Sequence, residues 1–147
     1  MNSLQKSITK NTVNAILKLQ AFLFRISIFN SLGYRLNSFI AKSTIKSKKI
    51  KEAETLDKLG ENWQKGFPSK KQVPITGKDD KTIYGEIHTH CSLRNTGDVN
   101  ACYKMMSYDR EIIEKSGGQF LVLQSQAEKG IEKCKSLSYL RVKIQTI

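Results

Sequence analysis

The sequence is short of several residue types, and each shortage removes a class of explanation. Cysteine occurs three times, an odd number in no disulfide-rich pattern. A disulfide-framed scaffold is therefore not expected, and the residues read as thiols in a reducing, cytoplasmic compartment. No cleaved signal peptide is recognisable. Long apolar runs are missing too. The best candidate, around AFLF, is interrupted by Lys18 and Arg25, well short of the ~20 residues a spanning helix needs, so a soluble protein is expected. Paired CxxC or CxxH knuckles do not occur, which removes the usual structural zinc site. Aromatics are only 8% of the chain, and the basic run KSTIKSKKIK, residues 42–51, holds none. Platforms for single-stranded nucleic acid interleave rings with cations. No helix-turn-helix, zinc-finger or RNA-binding aromatic motif follows, so nucleic acid is not an expected partner.

Acidic residues are outnumbered by basic ones, 13 against 25, for a net charge of +12. The excess sits in residues 1–82, with sixteen basic and six acidic side chains; residues 83–147 have nine and seven. A basic half suits nucleic acid or an anionic membrane, but a solvated surface is the commoner use. What remains is 147 residues, 39% of them apolar, enough for a single folded domain with a real core.

Periodicity divides the chain into a helical, basic part over 1–66, a loop over 67–82 and a β-α-β-β part over 83–147. Residues 12–41 predict one or two helices, because Ile16, Leu19, Leu23, Ile26 and Phe29 line one stripe, which Leu36, Phe39 and Ile40 resume. Asn30, Ser31 and Gly33 supply the expected break. The stripe is expected to pack on the domain's own sheet, the alternative being a membrane surface. Residues 52–66 predict a helix ending near Gly66, and 73–76 a short edge strand. TIYGEIHTH alternates, placing Ile83, Ile87 and Thr89 on one strand face and Tyr84, Glu86, His88 and His90 on the other. Asp98 is the expected N-cap of a helix reaching Ser116, stopped by Gly117-Gly118. QFLVLQSQ and IEKCKSLSYLRVKI predict a closing hairpin. The expected class is α+β: N-terminal helices followed by a β-α-β-β unit with a mostly antiparallel sheet.

Both histidines and two of the three cysteines fall within residues 84–103. Glu86, His88 and His90 alternate onto one face, Cys91 ends that strand, and Cys102 opens the next helix. Unpaired N–H groups at a helix start favour a thiolate. Cys102, Met105, Met106, Asp109 and Ile113 share one helix face, so Asp109 must find a partner, with Arg94, Arg110 or a histidine as candidates. Cys134 reads as a small buried apolar residue.

Two further segments extend the pattern. SQAEKGIEKC places Gly130 four positions before Cys134, and ACYKMMSYDR carries Cys102 and Asp109. On these, residues 84–140 resemble the L-2-amino-thiazoline-4-carboxylic acid hydrolases. Gln124-Ser125-Gln126 stands where that family has an arginine-threonine run, and Lys135 where it has an aspartate. The HTHC segment lies outside the family pattern. The resemblance implies ring-opening hydrolysis of a cyclic C–N bond in a small heterocyclic acid.

The chemistry expected from the residues themselves is a Cys102 thiolate attacking the substrate, with His88 or His90 relaying the proton and Asp109 orienting a partner. The N–H groups after Gly97 would steady an oxyanion. Arg94, with its planar fork, and its neighbours Asn95 and Thr96 would hold a substrate carboxylate. This reading needs no cofactor. The alternative is a non-enzymatic metal- or ligand-sensing module in which Glu86, His88, His90 and Cys91 bind zinc or iron. A third option is an interaction domain docked through its basic helices. The final VKIQTI has no stop signal, which leaves room for a homo-oligomer.

Overall fold

The computed structural model describes residues 3–141. The expected strand continuation over 142–147, with its option of pairing to another subunit, lies outside the described residues. Among the described residues, five α-helices and one four-stranded sheet follow in the order α1 (Ser3–Arg25), α2 (Asn30–Ser47), α3 (Leu56–Lys65), β1 (Ile75–Lys78), β2 (Thr82–Ile87), α4 (Val99–Met105), α5 (Ser107–Lys115), β3 (Gly118–Gln124) and β4 (Cys134–Leu140). The strands lie in the order β1-β2-β4-β3, and every pairing is antiparallel. The protein is therefore α+β, helices first, as its patterning implies.

One sheet face is covered. Ile83, Gly85 and Ile87 of β2, Phe120 of β3 and Cys134, Ser136 and Ser138 of β4 point inward and are buried. Helix α3 lies on β2 and β4, and α5 on β3. Trp63 of α3 is 2% exposed and occupies the space above Gly85. A Cβ there would come within 2.9 Å of Trp63 Cη2, so this position excludes any side chain. Thr55 caps α3, its Oγ1 accepting from the Lys58 N–H at 3.2 Å.

Helices α1 and α2 form an outer layer, and here the structure departs from the periodicity. The stripe over 12–41 does not pack on the sheet: α1 lies chiefly on α2 and α4, and α2 on α5 and α4. The break between them falls at a 3-10 turn, Ser27–Phe29, not at Gly33. Gly33 sits inside α2 because a Cβ there would meet the Phe24 ring at 2.8 Å; it permits close helix packing and does not end a helix. A buried amide chain joins the layers. Gln20 Nε2 donates to Asn37 Oδ1 at 2.6 Å, and Asn37 Nδ2 donates to the Met105 carbonyl at 2.9 Å and to Ser107 Oγ at 2.8 Å. Occupying the Met105 carbonyl from outside interrupts the helical ladder. The single helix expected over 98–116 is accordingly two, α4 and α5, joined at Met106.

Candidate functional site

A cavity of about 420 Å3 lies between the helical layer and one end of the sheet. Its helical wall is mostly apolar, from Val13, Ile16 and Leu17 of α1 and Ile40 of α2, with Gln20, Thr44 and Ser47 among them. Its other wall contains all three cysteines, Asp109 and Gln126. The volume suits a small organic molecule.

Three segments far apart in sequence build the reactive wall. Helix α4 presents Cys102, 1% exposed, its start fixed by Asp98 Oδ1 accepting from the Ala101 N–H at 3.0 Å. Strand β4 begins with Cys134, 2% exposed and paired in register with Ile87 on the last rung of β2. The turn after β3 contributes Ser125 and Gln126, both fully buried. Gln126 is anchored five times, its carbonyl accepting from the Asn95 N–H at 3.0 Å. Its side-chain amide donates to the carbonyls of Ile87 (3.2 Å) and Thr89 (2.9 Å), and its Oε1 accepts from the Cys91 N–H (3.2 Å). Its own N–H donates to Cys134 Sγ at 3.3 Å. The turn closes at Gly130, whose φ of +77° favours glycine.

The two buried thiols divide the titration between them. The Cys134 thiol donates to Cys102 Sγ and draws Cys102 down to about 7, with help from Ser125 and against the opposing effect of burial. Cys134 is pushed up by the same bond and by burial. The cause differs from the one the sequence suggests, because the Cys102 N–H is spent on the Asp98 carbonyl at 3.2 Å and a second thiol does what helix N–H groups were expected to do. Cys91 titrates high because it is buried.

Asp109 has the partner its position requires, and it is none of the expected three. Trp63 Nε1–H donates to Asp109 Oδ1 at 2.8 Å. Burial raises the carboxyl to about 6 despite that bond. Two more buried oxygens on cavity-lining residues, Gln72 Oε1 and Thr89 Oγ1, make no hydrogen bond within the protein. Buried polar atoms are nearly always paired, so these two carry an unmet hydrogen-bonding demand beside the cavity.

The remaining predicted site residues are placed elsewhere. Strand β2 ends at Ile87, so Glu86, His88, His90 and Cys91 do not converge. Glu86 points to the uncovered sheet face, and its Oε2 lies 2.7 Å from His88 Nε2, with Lys133 Nζ at 3.7 Å. His88 is exposed on that side, away from Cys102. His90 borders the cavity, its Nδ1 accepting from Arg94 Nη1 at 3.5 Å. Cys91 is on the cavity side. Among the described residues no group of three His, Cys, Asp or Glu side chains could hold a metal ion, which corrects the zinc or iron expectation for this face.

Arg94 Nη2 donates to the Glu132 carbonyl at 2.6 Å, tying the loop to the β3–β4 connection. Asn95, at φ +59°, accepts the Gly130 N–H at 3.0 Å. Thr96 Oγ1 donates to the Leu93 carbonyl at 2.7 Å. These three expected substrate contacts are loop fasteners and do not line the cavity. Of the N–H groups after Gly97 expected to steady an oxyanion, that of Asp98 donates to Thr96 Oγ1 at 3.2 Å, that of Val99 to the Gly97 carbonyl at 3.0 Å and that of Ala101 to Asp98 Oδ1 at 3.0 Å.

Sequence reasoning missed Trp63, Ser125, Gln126 and Cys134 as site residues. The only available signals were the spacing of Gly130 and Cys134 and the polar Gln124-Ser125-Gln126 run ending an apolar strand. Comparison with protein-family models, with curated proteins and with solved structures gives no match to this chain.

Proposed function

We propose that the protein is a thiol-dependent hydrolase of a small heterocyclic acid, opening a cyclic C–N bond as the resemblance to the L-2-amino-thiazoline-4-carboxylic acid hydrolases implies. The observation that carries this reading is the meeting of Cys102, Cys134 and Asp109 on one cavity wall. With Gly130 they are the residues on which the resemblance rests, and they come from segments that only the fold brings together.

The steps follow from the proton positions. The Cys134 thiol holds Cys102 as a thiolate near neutral pH, and the sulfur adds to the sp2 carbon of the substrate's ring C–N unit. Asp109, titrating at about 6, supplies the proton to the ring nitrogen as the C–N bond breaks. Asp109, now a carboxylate, takes a proton from water as the water oxygen adds to the same carbon. Expulsion of the Cys102 thiolate then regenerates both groups. Neither histidine has a place in this sequence. His88 lies on the other sheet face, and His90 sits at the cavity edge beside Arg94.

The test is turnover of 2-aminothiazoline-4-carboxylate and related cyclic amidines. Cys102→Ser should abolish turnover with an unchanged urea midpoint; turnover retained in that variant overturns the nucleophile assignment. A second reading, a ligand-binding module without turnover, is favoured by the mostly apolar helical wall and the unpaired Gln72 and Thr89 oxygens. It predicts that Cys102→Ser binds the same ligands as the wild type, and that neither protein turns them over.

A further inference from the structure

Helix α1 has two apolar faces, and the fold uses one of them. Leu17, Leu23 and Phe24 face inward, the last two 5% and 2% exposed. Leu4, Ile8, Ala15, Leu19 and Phe22 follow at steps of four, seven, four and three residues, which lines up a second stripe on the opposite side. All five are exposed. The stripe continues round the corner into α2. The Phe22 and Phe29 rings lie 5.9 Å apart, and Ile28 and Leu32 beside them are 79% and 54% exposed. Contiguous exposed apolar surface of this kind marks an interaction face.

The charge of the same segment identifies the partner. No aspartate or glutamate precedes Glu52, while eight lysines and two arginines do. Lys10, Lys18, Arg35 and Lys42 are exposed on these two helices. A second copy would bring two acid-free faces together, and like charges across an interface are unfavourable. Nucleic acid would satisfy the cations but leave the aliphatic stripe in water. An anionic phospholipid bilayer satisfies both, taking apolar side chains at the acyl boundary and Lys or Arg among the phosphates. No single helix among the described residues is long and apolar enough to cross a bilayer. Residues 3–25 and 27–47 together reach that apolarity, bent by 117°, a shape suited to lying in the interface plane.

We infer that α1 and α2 form a docking surface for an anionic phospholipid bilayer, the outer stripe of α1 and the Phe22–Phe29 corner entering the headgroup region. This is independent of the reaction proposed for the cavity. The test is flotation of the full chain with vesicles of phosphatidylcholine alone or mixed with an equal amount of phosphatidylserine. Partition into the mixed vesicles should be at least about tenfold stronger and should fall with added salt. The double variant Ile8→Gln, Leu19→Gln alters only exposed side chains and should bind at least about tenfold more weakly, with unchanged circular dichroism and urea midpoint. Lys18→Gln, next to Leu19 of the stripe, should weaken binding about fivefold. Equal partition into the two kinds of vesicle, or none, overturns the inference. So does a lipid-free dimer, seen by sedimentation, that the Ile8, Leu19 variant dissociates, because the face would then serve self-association.

Discussion

Asp109→Asn separates what this carboxyl does for the reaction from what it does to the fold. The side chain is buried against Trp63 and titrates at about 6 where an ordinary aspartate titrates at 3.8. Its proton is thus held more tightly in the folded chain than in the unfolded one. The associated stability is fully present below pH 3.8 and is lost as pH rises through about 6. Carrying the carboxyl from protonated to ionised inside the fold costs about 3 kcal/mol. An asparagine keeps the acceptor for Trp63 Nε1–H and never ionises. Relative to the wild type, the variant should therefore gain about 3 kcal/mol between pH 3 and pH 8. This gain is added to a constant offset for fitting the new amide N–H groups.

Urea unfolding of both proteins at pH steps across that window measures the difference directly, and the other titrating groups cancel. With a slope of about 2 kcal/mol per molar, the relative midpoint should move by about 1.5 M. In the same variant, hydrolysis should fall by about 10^2–10^4-fold, because an amide cannot deliver the proton to the leaving nitrogen. A stability difference that stays flat across the window would mean that Asp109 ionises at an ordinary pH, and the reasoning from burial would fail. Full activity in the variant would remove Asp109 from the mechanism.

Other substitutions test neighbouring parts of the argument. Cys134→Ala removes the donor to Cys102, so the pH midpoint of Cys102 alkylation should rise from about 7 toward the free-thiol value of ~8.5; an unmoved midpoint assigns the low value to something else. Gln126→Ala strands the Ile87 and Thr89 carbonyls and the Cys91 N–H, and should cost about 3 kcal/mol in urea unfolding. His88→Ala removes an exposed partner of Glu86 and should change stability by no more than about 0.5 kcal/mol. It should leave turnover intact, and a dead His88→Ala enzyme would put the reactive groups on the wrong face of the sheet.

The strands were legible because inward apolar residues alternate with polar ones in β2 and the apolar run FLVL marks β3, and the Gly117-Gly118 stop falls where α5 gives way to β3; of the pairings, only the closing hairpin of β3 with β4 was. The helical layer was legible as helices but not in its packing. Gly33 reads as a breaker in isolation, and only the Phe24 ring shows that it is a contact. The split of α4 from α5 depends on Asn37, almost seventy positions away, taking the Met105 carbonyl. The site was half legible for a related reason. Period-two alternation was carried three residues past the end of β2, which made Glu86, His88 and His90 a cluster of which only the Glu86–His88 pair exists. Cys102 and Asp109 were identifiable from helical spacing. Their partners Cys134 and Trp63 were not, because no local pattern reports a contact made through the sheet or across α3.

The position of the cavity follows from where large side chains stop. Over the middle of the sheet, small residues face inward at Gly85, Gly118, Ser136 and Ser138, and α3 and α5 fill the space with Trp63, Leu59 and Ile113. Ser136 and Ser138 are buried there at 4% each, and the Ser136 hydroxyl donates to the Gly85 carbonyl at 3.4 Å. Helix α3 ends at Lys65, and the sheet continues one rung further, to Ile87 and Cys134. There Cys102 of α4 meets Cys134, and the wall formed by α1 leaves about 420 Å3. This rung is also where Gln126 holds the strand ends and where Asp109 reaches across beneath Trp63. Filling the gap, for example by Leu17→Trp from the α1 wall, should raise the urea midpoint while abolishing ligand binding. A filled variant that still binds and turns over substrate would move the site out of this cavity.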